Sequence, residues 1–170
     1  KLPLDHAAGY DHIWLSPHPD DAVWSAGGQL ALQRRAGRRV LVVTLCTAPP
    51  ADLPDGDAPA LATGALDPSL MQVRLCEDAA ALARLDVDFV HAGLRDGPER
   101  LPVEYGSLRR LMGGEPAPGD PLTEEVRRTI DTLRARNPAA LLHAPLGIGG
   151  HVDHVAVARA APRDSRTWFY

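Results

Sequence analysis

The chain has 170 residues, a formal net charge of −4 and an apolar fraction of 45%. That length suits one domain with a substantial core, no apolar run is long enough to cross a bilayer, and the lack of a basic stripe argues against nucleic acid as a partner. Lys1 is the only lysine, so arginine carries nearly all the positive charge. Cys46 and Cys76 are too few for a disulfide framework and form no C-x-x-C pair. They are expected to be reduced, mostly buried thiols of a cytoplasmic protein. The amino terminus lacks the basic region and apolar stretch of a signal peptide. Because the chain opens on Lys1 and stops on Trp168-Phe169-Tyr170, an aromatic run suited to a strand interior, the expectation is a single domain over 1–170 that is incomplete at both ends.

Strand and helix alternate along the chain. His12 to Ser16 reads as the first strand, and Val23 to Ala36 follows with apolar residues at helical spacing and Arg34, Arg35 and Gly37 as stop signals. Val40 to Cys46 is a continuous apolar, mostly β-branched run, which predicts a strand buried on both faces of a parallel sheet. Ala48 to Pro68, rich in Pro, Gly, Asp and Ala, predicts a long functional loop. Ser69 to Leu85 returns to helical periodicity, and Asp88 to Ala92 predicts a short strand. A second Pro/Gly-rich stretch runs to Pro121. Thr123-Glu124-Glu125 then opens a helix with acidic residues that suit its dipole, and that helix ends near Asn137-Pro138. Ala140 to Ala144 is a further strand, and a last helix begins around His151 to Asp153. Repeated βα units predict an α/β, Rossmann-like fold, mostly parallel, with helices on both faces.

Two segments carry chemistry. Ser16-Pro17-His18-Pro19-Asp20-Asp21 places an imidazole and two carboxylates directly after the first strand, and Gly149-Gly150-His151-Val152-Asp153-His154 offers a similar set after the late strand. Ligand sites of open α/β sheets lie outside the carboxyl ends of the strands. Zinc accepts imidazole nitrogen and carboxylate oxygen, and a catalytic site holds it with three protein ligands and one open position. His18 and a carboxylate two or three residues on can approach one ion, while His151 and His154, at i and i+3, share a helical face. The inventory exceeds three ligands by at least one carboxylate and one imidazole. A hydrolase needs that surplus, as a base for the attacking water and a donor for the developing oxyanion.

Each piece has a plainer reading: the Asp pair as a helix N-cap, H-x-x-H as an incidental spacing, His18 as a hydrogen-bonded buried ring. Their joint occurrence after two predicted strands favours a split metal site. Gly147-Ile148-Gly149-Gly150 lacks the G-x-G-x-x-G spacing, and neither a G-x-S-x-G elbow nor a P-loop lysine occurs. His91 and His143 are expected to be structural or supporting residues.

His18-Pro19-Asp20-Asp21 with Gly27-Gly28 beyond it, His151-x-Asp153-His154, Arg74-x-x-Glu77 and the Asp96-Gly97 turn together resemble the LmbE-like (PIG-L-type) N-acetylglucosamine deacetylase family over nearly the whole chain. The resemblance implies a Rossmann-like fold and zinc-dependent hydrolysis of the acetamide of a GlcNAc-containing small molecule or glycoconjugate, releasing acetate and a free amino sugar. It implies one Zn2+ per chain held by His18, Asp21 and His154, with Asp20 as general base and His151, in its protonated form, stabilising the oxyanion. Arg74 and Asp96 match positions that contact the substrate. Many relatives carry a glutamate where this chain has Ala22. Two other functions share the same residues: an amidase acting on a sugar-linked thiol conjugate, and a non-catalytic sugar-binding or structural zinc domain.

Overall fold

The computed structural model describes residues 4–48 and 68–170. Five strands, β1 (His12–Ser16), β2 (Val40–Cys46), β3 (Asp88–Leu94), β4 (Leu141–Ala144) and β5 (Thr167–Phe169), form one sheet in the order β3-β2-β1-β4-β5. Every pairing is parallel. The main helices are α1 (Asp21–Arg35), α2 (Pro68–Arg84), α6 (Leu122–Arg136) and α7 (Val152–Ala160); three single turns, α3 (Gly97–Arg100), α4 (Pro102–Tyr105) and α5 (Leu108–Leu111), lie between β3 and α6.

Alternation along the strands divides the core into two layers. Ile13 and Leu15 of β1, with Leu41, Val43 and Leu45 of β2, pack against Val126, Ile130 and Leu133 of α6 and Ala156 and Val157 of α7. Trp14, Val40 and Val42 face the other way, onto Ala22, Ala26 and Leu30 of α1 and Leu82 of α2. With helices on both faces, β2 has no solvent side, and all seven of its residues are buried. This accounts for its unbroken apolar sequence. Ala22 lies inside the second of these apolar layers.

The order of the strands places the functional edge. After β1 the chain moves outward to β2 and β3, then returns to set β4 on the opposite side of β1. The connections leaving β1 and β4 therefore diverge, and a crevice opens between the carboxyl ends of those two strands. The two polar segments singled out in the sequence are the ones that follow β1 and β4.

Some elements differ from expectation. Helix α1 starts at Asp21, two residues early, because Ser16 Oγ accepts the Ala22 N–H at 3.0 Å and caps the helix from the strand end. Strand β3 continues to Leu94, and the Pro/Gly-rich stretch before Pro121 holds the three short helices. Cys46 is buried as expected, but Cys76 is exposed on α2. Apart from its two end residues, the expected loop Ala48 to Pro68 lies outside the described residues. Among the described residues, no helix is long and apolar enough to cross a membrane.

Leu133 is fully buried between α6 and the sheet. Leu133→Ala is expected to lower the unfolding free energy by about 2–5 kcal/mol through lost burial and the cavity left behind. Chemical denaturation measures this, and a loss under about 1 kcal/mol would show that this layer is not close-packed.

Candidate metal centre at the β1–β4 crevice

The turn after β1 presents its side chains through a strained backbone. Asp20 adopts φ 74°, ψ −17° at the helix N-cap position, and its side chain makes no capping bond. The plain N-cap reading of the Asp pair therefore fails for Asp20. Left-handed geometry at a non-glycine residue costs of order 1–3 kcal/mol and persists only where the surroundings impose it. Here Asp78 imposes it: one carboxylate oxygen accepts the Asp20 N–H at 2.9 Å, and the other accepts Thr44 Oγ1 at 3.0 Å and pairs with His91 Nε2 at 2.9 Å. Asp78 is 1% exposed and His91 lies beside it, so His91 has the supporting role expected of it. The neighbouring Glu77, part of the sequence match, points to solvent instead.

Asp21 turns inward. Its Oδ2 accepts the His18 N–H at 2.8 Å and lies 3.4 Å from His18 Nδ1 and 3.1 Å from His154 Nε2. His154 Nε2 and His18 Nδ1 are 3.3 Å apart. Three ligand-type atoms, from the turn after β1, from α1 and from α7, thus form a small triangle. A four-coordinate ion with ligand bonds of about 2.0–2.1 Å spaces its ligand atoms roughly 3.3–3.4 Å apart, and the triangle fits that geometry.

Behind the triangle, Asp153 is completely buried. Its Oδ2 accepts the Gly97 N–H at 3.0 Å and bonds His18 Nε2 at 3.0 Å, which leaves Nδ1 facing Asp21 and His154. A carboxylate behind a metal-binding imidazole selects the ring nitrogen that faces the ion. His18, Cys46 and Asp153 also lie within mutual reach, but Asp153 Oδ1 is engaged by Arg100 at 2.7 Å. Asp153 is thus an orienting group and the thiol a buried neighbour.

The electrostatics agree with a site built for positive charge. Burial alone would lower the His18 pKa, but its bonds to Asp153 and Asp21 outweigh burial and lift it to about 9. Burial opposes the ionised form of Asp21 as well, and its bonds to His154 and His18 hold the carboxyl well below the usual range. Without an ion, a proton on His18 serves as the cation of the cluster. Metal binding would have to expel that proton. Asp20 differs from Asp21: burial, aided by Asp21 and Asp78, raises its carboxyl above the ordinary value against the opposing charge of Arg74.

His151 lies edge-on to His18, ring centroids 4.8 Å apart, and 5.4 Å from His154. Its Nδ1 accepts the Asp153 N–H at 3.2 Å, capping α7, so a neutral ring carries its proton on Nε2. Burial, then the charge of His18, pushes His151 down to about 4. These surroundings favour a neutral ring with its proton on Nε2, where the resemblance implies a protonated one. The turn that delivers it needs Gly150 at φ +74°, where a Cβ would stand 3.0 Å from the Met112 carbonyl oxygen.

Of the remaining expected residues, Arg74 acts on Asp20 by charge. Asp96 caps α3 by accepting the Glu99 N–H at 3.3 Å, and burial followed by Asp153 raises its carboxyl. His143 stacks on Trp14 at 4.0 Å in the sheet, well suited to its expected structural role. A pocket of about 240 Å³ opens against Asp21 and His154, walled by Ser25, Leu146, Ile148 and Tyr170. Asp78 and Arg100 belong to none of the motifs singled out in the sequence. For Asp78 a signal exists: it shares the buried stripe of α2 with Met71 and Leu82, where a carboxylate needs a partner.

Because the folded pKa of His18 lies above its ordinary 6.5, the protonated ring stabilises the fold fully below about pH 6.5, and that stability is lost as pH rises through about 9. The thermal midpoint of chelator-treated protein is expected to fall across that window, and His18→Gln to flatten the fall. Equal slopes for the two proteins would refute this origin of the pH dependence.

The model of the PIG-L family, described as GlcNAc-PI de-N-acetylase, matches residues 13–163. No curated protein shows a significant sequence match to the chain. Among solved structures, a deacetylase of teicoplanin biosynthesis in complex with teicoplanin is similar at 29% identity and TM-score 0.71, over 87% of this chain and 62% of that one. A zinc-inhibited form of a teicoplanin deacetylase is similar at 28% identity and TM-score 0.66, over 87% and 60%. The N,N'-diacetylchitobiose deacetylase of Pyrococcus horikoshii shares the fold at 20% identity and TM-score 0.57, over 89% of this chain and 48% of that one. The chain thus spans less than two thirds of the length of these relatives. The family match, the parallel sheet and the placement of both polar segments agree: the chain belongs to the PIG-L (LmbE-like) family.

Proposed function

We propose that the protein is a zinc-dependent N-deacetylase that hydrolyses the acetamide of an N-acetylglucosaminyl conjugate. The observation that carries this reading is the triangle of His18 Nδ1, Asp21 Oδ2 and His154 Nε2, with sides of 3.1–3.4 Å, beside an Asp20 carboxyl that caps nothing. The similarity to deacetylases of glycoconjugates supports the reaction class.

His18, Asp21 and His154 would hold one zinc ion. When bound, it would supply Lewis acidity and bring the pKa of a coordinated water toward ~7. Asp20 accepts the proton of the attacking water at its carboxylate, aided by a raised pKa that makes it a better base than an ordinary aspartate. The same carboxyl then returns the proton to the departing amine. His151 donates its Nε2–H to the acetamide oxygen as negative charge develops there, a role that needs a neutral ring only. Arg74 and Asp96 would contact the sugar or the group attached to it. Cleavage breaks the C–N bond and yields acetate and a free 2-amino sugar.

Asp20→Asn is expected to keep stoichiometric zinc and to lose at least roughly two decades of deacetylation rate. Acetate release from a panel of GlcNAc conjugates, with zinc content measured alongside, tests this. Loss of zinc with full activity per bound ion would reverse the assignment of base and ligand. The same panel identifies an amidase for thiol conjugates by its product.

His151 separates catalysis from a closed structural site, because His18, His151 and His154 also bring ring nitrogens within 4.8 Å of one another. His151→Ala is expected to retain zinc and to lose about 10²–10³ in rate, the usual cost of removing an oxyanion donor. If the variant failed to bind zinc, His151 would be a fourth ligand and the site structural.

A further inference from the structure

Resting on that reading of the metal site, we propose that Arg100 is a positioning residue for the metal centre: through Asp153 it holds His18 with Nδ1 toward the ion, and through Asp120 and Tyr105 it ties that orientation to the segment that carries Asp96. Arg100 lies in the Pro/Gly-rich stretch after β3, on a single helical turn. Its side chain is nevertheless 5% exposed and bridges two buried carboxylates, Asp153 at 0% and Asp120 at 2%.

Each nitrogen of the guanidinium is engaged. Nη2 donates to Asp153 Oδ1 at 2.7 Å and to Asp120 Oδ2 at 2.9 Å, Nε donates to Asp120 Oδ1 at 2.7 Å, and Nη1 donates to the Arg95 carbonyl at 2.6 Å. Asp120 in turn accepts the Tyr105 hydroxyl at 2.6 Å and the Leu122 N–H at 2.9 Å, and the Tyr105 oxygen accepts the Ala117 N–H at 2.7 Å. An unbroken series of bonds therefore runs from His18 Nε2 to the 95–121 segment.

This arrangement assigns both oxygens of Asp153. Oδ2 is held by His18 and the Gly97 N–H, and Oδ1 by Arg100. With Oδ1 unpaired, the carboxylate could rotate about its bond or turn its free oxygen elsewhere, and His18 would lose its fixed partner. Lysine cannot substitute, because a single ammonium lacks the planar fork that engages Asp120 twice while reaching Asp153. A buried ion network of this kind is weak evidence of stabilisation, since desolvation offsets most of the attraction. Its consequence is expected in the geometry of the metal site, where removing groups that orient ligands lowers metal affinity 10- to 100-fold.

The test uses the 170-residue chain with Arg100→Lys, Asp120→Asn and Tyr105→Phe, stripped of metal and titrated with zinc against a chromophoric chelator. Cobalt-loaded spectra report ligand geometry, and unfolding of the metal-free proteins is followed separately. Arg100→Lys and Asp120→Asn are expected to weaken zinc about 10- to 100-fold and to change the cobalt spectrum, with a smaller effect for Tyr105→Phe. Should Arg100→Lys fail to fold, the other two variants decide the matter by the same measures. A parent that binds zinc tightly, with folded variants within twofold of it and an unchanged cobalt spectrum, would overturn the role of Arg100 and leave the proposed function standing. A parent that binds no zinc would instead overturn the reading of the site itself.

Discussion

The bond between His18 Nε2 and the fully buried Asp153 is the contact on which the functional edge depends. His18 belongs to the turn leaving β1 and Asp153 to the first turn of α7, so this one interaction closes the crevice that the strand order opens. It also determines which imidazole nitrogen faces Asp21 and His154. Asp153 carries a third bond, from the Gly97 N–H, which brings the start of α3 to the same point. The backbone approaches closely at Gly97, where a Cβ would stand 3.1 Å from Leu111 and 3.2 Å from Tyr105. Three chain segments remote in sequence converge on one carboxylate.

Much of this architecture is legible in the amino-acid sequence. β-Branched runs mark the strands, βα alternation marks the parallel sheet, and ionisable residues placed where a strand should end mark the functional edge. The assignment of Asp20 and Asp21 to different roles comes only with the family resemblance, because nothing in an Asp-Asp pair distinguishes its members. The structure supplies the physical distinction: Asp21 is bonded within the triangle, whereas Asp20 is held by its backbone to Asp78, its side chain left without a cap bond.

The features that sequence patterns do not reveal have a common cause. Asp78, Arg100 and Asp120 act through partners 13 to 58 residues away, and neither periodicity nor motif spacing reports a pairing of that kind. The stretch between β3 and α6 compounds the difficulty. Its prolines and glycines suppress helical periodicity, so three short helices and the buried guanidinium within them read as loop. Glu99 belongs to the same stretch: it is 6% exposed, neither carboxylate oxygen has a partner among the described residues, and burial followed by Asp96 lifts it to about 7.

Charge counting explains why the centre is organised as it is. Asp153 and Asp120 bring two negative charges into the interior, and Arg100 returns one positive charge, so the pair of carboxylates remains one charge in excess. Asp21 adds another on the opposite side of His18. An imidazole between two carboxylates, with a second imidazole facing it, cannot rest as a neutral cluster without a cation. The lifted pKa of His18 is that requirement expressed as a proton. On the proposed reading a divalent ion would meet it better than a proton can, since it would engage His18 Nδ1, Asp21 Oδ2 and His154 Nε2 at once, atoms that lie 3.1–3.4 Å apart. On that reading the network behind His18 would prepare the site for a metal in two ways, by aiming its nitrogen and by leaving negative charge uncompensated.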